Sequence, residues 1–264
     1  MNTVTSKDGT TIAFDRLGEG PAIILVGGAT TTRSDCVPLA AILSPHFTVF
    51  NHDRRGRGDS GDTAPYAVAR EVEDIEAVIS AAGGSAFVFG HSSGAVLALE
   101  AARTLATKIT KLAVYEPPFI VDNSHPPVPE DYVAQLNAAI AAGRPGDAVE
   151  IFMTKAVGVP AELVAQMRNE PWWAASEAVA HTIAYDGAIM GDTMRGSPLP
   201  LKKWASVTVP TLVIDGDKSY AFMPAGAQAL ADILPNARRR TLAGQDHGAA
   251  PEVLTPVLVE FFLG

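Results

Sequence analysis

The chain has 264 residues, 47% of them hydrophobic and 19% charged, with a formal net charge of −9. That is ample apolar material for one large α/β domain plus an insertion. The acidic balance excludes nucleic-acid binding by counterion release and offers nothing to an anionic membrane surface.

Met1 to Phe14 is polar and Thr-rich, without the basic and apolar regions of a secretory signal, so a cytoplasmic location is expected. Val4 to Ser6 and Thr10 to Phe14 flank Lys7-Asp8-Gly9 and predict a β-hairpin, because Asp-Gly is a favoured tight-turn pair. Ala22 to Val26 is a continuous apolar run, predicts a fully buried strand, and ends at Gly27-Gly28-Ala29. A helix over Asp35 to Leu43 and a strand over Phe47 to Phe50 follow, then a long polar turn from Asn51 to Ser60. Tyr66 to Ala82 predicts an amphipathic helix. Val68, Val72, Ile75 and Ile79 recur on one side, with Arg70, Glu71, Glu73, Asp74 and Glu76 on the other. Ser85 to Phe89 reads as a short buried strand, Ala95 to Arg103 as an Ala/Leu-rich helix, and Lys111 to Tyr115 as another buried strand ending at Glu116-Pro117-Pro118. Such alternation calls for a parallel sheet with helices on both faces.

The alternation stops there. Residues 119–204 hold helical segments, among them Asp131 to Ala142 and Asp147 to Val157, punctuated by prolines and without a convincing strand. They read as an all-helical cap inserted after the sixth strand, covering the sheet's carboxyl edge. The expected domains are therefore a core of 1–118 with 205–264 and a cap of 119–204. Met167, Trp172, Trp173, Met190 and Met194 give that cap large apolar surface, either to pack within it or to wall a pocket. The sheet pattern resumes with Thr211 to Ile214, followed by Asp215-Gly216-Asp217-Lys218-Ser219 and a helix over Pro224 to Leu234. Arg238 to Leu242 reads as an edge strand, Gly244 to Gly248 as a loop, and Pro251 to Phe262 as the closing helix. No apolar run approaches the roughly 18 residues that span a bilayer. Cys36 is the only cysteine, so no disulfide forms within the chain.

Gly90-His91-Ser92-Ser93-Gly94 carries the most chemical information. Between a buried strand and a small-residue helix, Gly-x-Ser-x-Gly marks a sharp turn that pushes the serine hydroxyl out above the sheet. It stands in order with Gly27-Gly28, with Asp53-x-Arg55-Gly56-x-Gly58-x-Ser60 and with Gly244-x-x-His247. In these four features the chain resembles the α/β-hydrolase family, serine type with a helical cap and esterase- or lactonase-like, over essentially its whole length. The fold expected from the resemblance is a mostly parallel eight-stranded sheet flanked by helices.

A serine hydroxyl is a poor nucleophile at neutral pH and needs a base, which in turn needs a group to fix its tautomer. The resemblance implies Ser92 as nucleophile and His247 as base, with the N–H groups of Ser93 and Ala29 as oxyanion donors. It also implies that His91 packs beneath the turn and that Asp53 and Arg55 tie turns together. Two positions depart from the family pattern. Gly27 stands where a histidine is usual. Ser219 stands where the triad aspartate is usual, counting Gly-x-x-Asp from Gly216. Three carboxylates remain as the third member: Glu116, favoured because some relatives take the acid from that strand end, and Asp215 and Asp217 as alternatives.

A serine forms an acyl-enzyme, whereas dehalogenase and epoxide hydrolase chemistry needs a carboxylate nucleophile. The expected function is therefore hydrolysis of a carboxylic ester or lactone with a mainly apolar acyl part, without cofactor or metal, by a monomer or homodimer. Carbon–carbon bond hydrolysis and cofactor-free haloperoxidase or perhydrolase activity use the same triad and remain open. So does a ligand-binding relative that has lost turnover, for which Ser219 is the best support.

Overall fold

The structure is a computed structural model describing residues 1–264. Its strands are β1 (Asn2–Thr5), β2 (Thr11–Leu17), β3 (Ala22–Val26), β4 (Thr48–His52), β5 (Ala86–His91), β6 (Ile109–Tyr115), β7 (Thr211–Gly216) and β8 (Ala237–Leu242). They form one eight-stranded sheet in the order β1-β2-β4-β3-β5-β6-β7-β8. Only β2 is antiparallel to its neighbours; β3 through β8 pair in parallel.

The central strands are apolar on both faces because both are covered. Ile24, Val26, Val88, Leu112, Val114 and Val213 join one core with α2 (Val68–Ala81), α3 (Ser93–Thr104) and α9 (Met223–Ile233). Their neighbours Ile23, Leu25, Phe89, Ala113, Leu212 and Ile214 join a second core with α1 (Val37–Leu43) and α10 (Pro251–Leu263). The period-two alternation of β-strand side chains thus sorts each strand between two layers. Phe262 locks the second layer, its ring 4.9 Å from that of Phe87 and 6.1 Å from that of Phe47.

Between β6 and β7 the chain is helical: α4 (Tyr132–Ala141), α5 (Pro145–Ile151), α6 (Ala161–Met167), α7 (Pro171–Ala178) and α8 (Ile183–Met190), with short 3-10 turns between and after them. α5 runs on into a π-helical turn, Phe152–Val157, ended by Gly158 at φ 83°. Such wide turns are rare and tend to occur at functional sites. No helix is long and apolar enough to cross a membrane.

The acidic side of α2 is not simply solvated: Glu71 and Asp74 are buried. Each receives a two-pronged hydrogen bond from an arginine of the Asn51–Ser60 turn, Arg54 to Glu71 at 2.7 and 2.9 Å and Arg55 to Asp74 at 2.7 and 2.8 Å. Helical periodicity cannot register partners supplied by another part of the chain.

Candidate active site

Parallel α/β sheets present loops at the carboxyl ends of their strands, and ligands bind there. Four such ends meet here. At the end of β5, Ser92 adopts φ 56° and ψ −127° just before α3. The flanking glycines make this turn possible. A Cβ on Gly90 would stand 2.6 Å from the carbonyl oxygen of Gly94, and one on Gly94 would collide with the carbonyls of Val26 and Gly27. At the end of β3, Gly28 leaves room for Ser92, whose Cβ would lie 2.9 Å from a Cβ at that position.

Only three non-glycine residues in the whole chain have positive φ: Thr30, Ser92 and Glu116. All three lie in these strand-end loops. Such conformations cost on the order of 1–3 kcal/mol each and persist only where surrounding structure holds them.

The hydrogen bonds between the loops run in one line. His247 Nε2 is 3.1 Å from Ser92 Oγ, and His247 Nδ1 is 2.7 Å from Glu116 Oε2. A carboxylate only accepts, so Nδ1 carries the imidazole proton and Nε2 is left free to accept from the serine hydroxyl. Glu116 is buried. Its Oε1 accepts the Gly216 N–H at 2.8 Å and its Oε2 accepts the Ser219 hydroxyl at 2.6 Å. Burial alone would raise the pKa of this carboxyl. The bonds from His247, Ser219 and Gly216 outweigh that and hold it below the usual carboxylate range.

The other two carboxylates are engaged elsewhere. Asp215 is fully buried and receives Arg239 at 2.9 and 2.8 Å. Asp217 accepts the Gly244 N–H at 2.7 Å, which braces the loop carrying His247. Neither makes a hydrogen bond to the imidazole. Ser219, at the position where the family pattern has its acid, donates to the Glu116 carboxylate instead.

The backbone of the His247 loop is pinned on both sides. Tyr115 Oη donates to the Asp246 carbonyl. His91 Nε2 lies 2.8 Å from the His247 carbonyl oxygen, which only accepts, so this nitrogen donates. His91 thus does more than pack beneath the turn. Burial and the nearby His247 push its pKa down to about 4, so the ring is neutral over most of the pH range. His52, at the end of β4, is pushed down to about 4 by burial and Arg54.

These two imidazoles give the stability a pH dependence. In the unfolded chain each titrates near 6.5. Between about 6.5 and 4 the unfolded chain therefore binds more protons than the folded one. Stability is fully present above that window and falls as pH drops through it. Urea unfolding measured across this range should show the loss, and His52→Phe should reduce the slope by about one proton.

Ala29 N–H donates to no protein acceptor. Ser93 opens α3, where the first N–H groups of a helix have no intrahelical partner. Both residues line the same cavity as Ser92 and His247. The Ala29 peptide is held from behind: Thr31 Oγ1 donates to the Gly28 carbonyl at 2.9 Å, and Arg57 Nη1 donates to the same oxygen. Because C=O and N–H point oppositely across a planar peptide, fixing the carbonyl fixes the direction of the Ala29 N–H.

Arg57 is itself fixed by a residue the sequence did not bring forward. Asp186 on α8 accepts from Arg57 Nη2, Arg54 Nη1 and Ser93 Oγ, each at 2.7 Å. Its burial would raise its pKa, but Arg57 and Arg54 lower it further than burial raises it. Removing one partner of a buried charge cluster leaves uncompensated charge and costs about 3–5 kcal/mol. Asp186→Ala should therefore lower unfolding free energy by about that amount in urea titration, whereas Asp217→Ala should cost far less.

The cavity above Ser92 has a volume of about 260 Å³. Its walls come from the helical segment and the strand-end loops: Val128, Tyr132, Phe152, Met190, Met194 and Phe222 among others. Of the large apolar residues noted in sequence, Met190 and Met194 reach it. Trp172 and Trp173 do not line it; Trp173 is buried among the helices and Trp172 is partly exposed.

A serine at a strand–turn–helix elbow, a histidine loop and a mostly parallel eight-stranded sheet together define a hydrolase of the α/β type. The model of the alpha/beta hydrolase family matches residues 23–256, and the chain belongs to that family. Among curated relatives, it is 27% identical over 240 residues to a pimeloyl-[acyl-carrier protein] methyl ester esterase of Xanthomonas oryzae pv. oryzae, covering 89% of this chain and 90% of the relative. It is 25% identical over 253 residues to a 2-(acetamidomethylene)succinate hydrolase of Mesorhizobium japonicum, covering 92% and 88%. Among solved structures it is similar to an alpha/beta hydrolase from Sphaerobacter thermophilus, at 58% identity and a TM-score of 0.91, over 99% of this chain and 100% of that one.

Proposed function

We propose that the protein is a serine hydrolase of carboxylic esters or lactones, with Ser92 as nucleophile, His247 as base and acid, and Glu116 as the residue that orients and stabilises His247. The observation that carries this reading is the unbroken row from Ser92 Oγ through His247 to Glu116. A curated relative that is a methyl ester esterase adds support for the ester class.

The chemistry follows from that row. Ser92 Oγ attacks the acyl carbon as its proton passes to His247 Nε2. The carbonyl π electrons move onto oxygen, and the oxyanion is met by the N–H groups of Ala29 and Ser93. The imidazolium that forms is stabilised by Glu116 at Nδ1. Collapse of the tetrahedral species breaks the acyl–oxygen bond, and His247 returns its proton to the departing alkoxide. Water then attacks the acyl-enzyme, giving up a proton to His247. Collapse returns that proton to Ser92, releasing the carboxylic acid.

The direct test is a fluorophosphonate probe. Labelling of the wild-type protein, with the adduct mapped to the peptide containing Ser92, is the expected result. Failure to label anywhere between about pH 6 and 9, where the base must be neutral to work, would favour a ligand-binding relative without turnover.

A further inference from the structure

The cavity is apolar apart from a few groups, and most of those are already occupied. Asp186 is neutralised by Arg54 and Arg57, and His247 is bonded to Glu116 and Ser92. Arg195 is different. It is the only lysine or arginine lining the cavity. Its side chain is 27% exposed, yet its guanidinium makes no hydrogen bond within the protein. Its single charged neighbour is Glu130 Oε1 at 3.9 Å, beyond hydrogen-bond reach, on a side chain that is 96% exposed. A pair of that kind is screened by water and contributes little.

The backbone bearing Arg195 is held firmly. Ile120 N–H donates to the Thr193 carbonyl at 3.1 Å, Val128 N–H to the Met194 carbonyl at 3.0 Å, and Gly196 N–H to the Ile120 carbonyl at 2.9 Å. The side chain therefore leaves from a fixed point on the cavity wall.

We propose that Arg195 anchors a carboxylate on the substrate, so that the cavity takes an acyl compound with the scissile ester at Ser92 and a free carboxylate at its other end. This rests on the hydrolase reading above. A guanidinium presents a planar fork of donors that matches a carboxylate two bonds at a time. Burying it against an apolar ligand would strip its water without replacement, which is costly; a carboxylate replaces that water. The protein's net charge of −9 repels anions at long range, so an anionic substrate requires a local cation, and Arg195 is the cation on this wall.

The test compares monomethyl glutarate with methyl pentanoate, esters of similar length with and without a terminal carboxylate. Wild type should prefer the hemi-ester, and that preference should weaken with added salt. Arg195→Gln should lower kcat/KM for the hemi-ester by roughly 30-fold, mostly through KM, and leave the neutral ester within about twofold; Arg195→Lys should fall between. Equal losses on both esters, or none on the hemi-ester, would overturn the proposal. A second arm needs no turnover: glutarate binding to Ser92→Ala measured by calorimetry. It should weaken about tenfold or more when Arg195→Gln is added. If neither ester is cleaved and no fluorophosphonate label appears, the hydrolase reading fails. The calorimetric arm still decides Arg195: no glutarate binding, or binding unaffected by Arg195→Gln, rejects the anchor.

Discussion

Ser92→Ala is expected to lower kcat for a cleavable ester by about 10⁵-fold or more, with little change in stability. The size follows from loss of a nucleophile within a unit whose members act together. What remains should come from oxyanion donors and binding alone. Stability should hold because the serine side chain makes no hydrogen bond except with His247, while the strained turn is set by the glycines around it. Removing the Oγ leaves the imidazole's other bond, to Glu116, intact. Residual turnover near the wild-type rate would remove Ser92 from the chemistry.

Glu116→Gln should lower turnover of a p-nitrophenyl ester by roughly a hundredfold or more, judged from other relay carboxylates made neutral. The substitution keeps volume, so its effect is one of proton placement. Gly216 N–H must still meet an oxygen, which directs the amide carbonyl there. The NH₂ group then faces His247 Nδ1 and Ser219. Nδ1 would have to accept, moving the ring proton to Nε2, where it meets Ser92 Oγ and blocks proton abstraction. Ser219 can reverse its role and accept, so the fold should tolerate the change. Asp217→Asn should have little effect on turnover, since Asp217 touches the loop backbone rather than the imidazole.

Much of the site was legible because its signals are local. Gly90 and Gly94 announce a crowded turn whatever the partners, and the apolar runs of β3, β5, β6 and β7 announce strands buried on both faces. His247 could be singled out by its loop late in the chain. Glu116 was legible only as a choice among three carboxylates. What distinguishes it is contact: a β6 end that turns at φ 47° and a Ser219 hydroxyl reaching it from more than a hundred residues away. Asp186 carried no sequence signal, because one aspartate on a helix says nothing of two arginines from a distant turn. The burial of Glu71 and Asp74 was invisible for the same reason: helical periodicity put them opposite the apolar side but could not show the arginines that meet them. His91 was read as packing; its bond to the His247 carbonyl depends on β5 continuing to the residue before Ser92, beyond the apolar run that marks the strand.

The charge cluster around Asp186 joins three parts that must stay in register: α8, the Gly28–Ala29 peptide and the first residue of α3. The helical segment is thereby tied to the Gly28–Ala29 loop through a buried carboxylate rather than through apolar contact alone. Arg195 lies in the same helical segment, so the segment that holds the Gly28–Ala29 peptide, the proposed oxyanion donor, also carries the proposed anchor for the substrate's far end.

The most direct measurement of the central claim is proton NMR of the imidazole N–H of His247. A proton shared between Nδ1 and a buried carboxylate resonates far downfield of ordinary amides. That signal should be present in the wild type and in Asp217→Asn, and absent in Glu116→Gln. Its survival in Glu116→Gln, or its loss in Asp217→Asn, would contradict the assignment of Glu116 as the partner of His247.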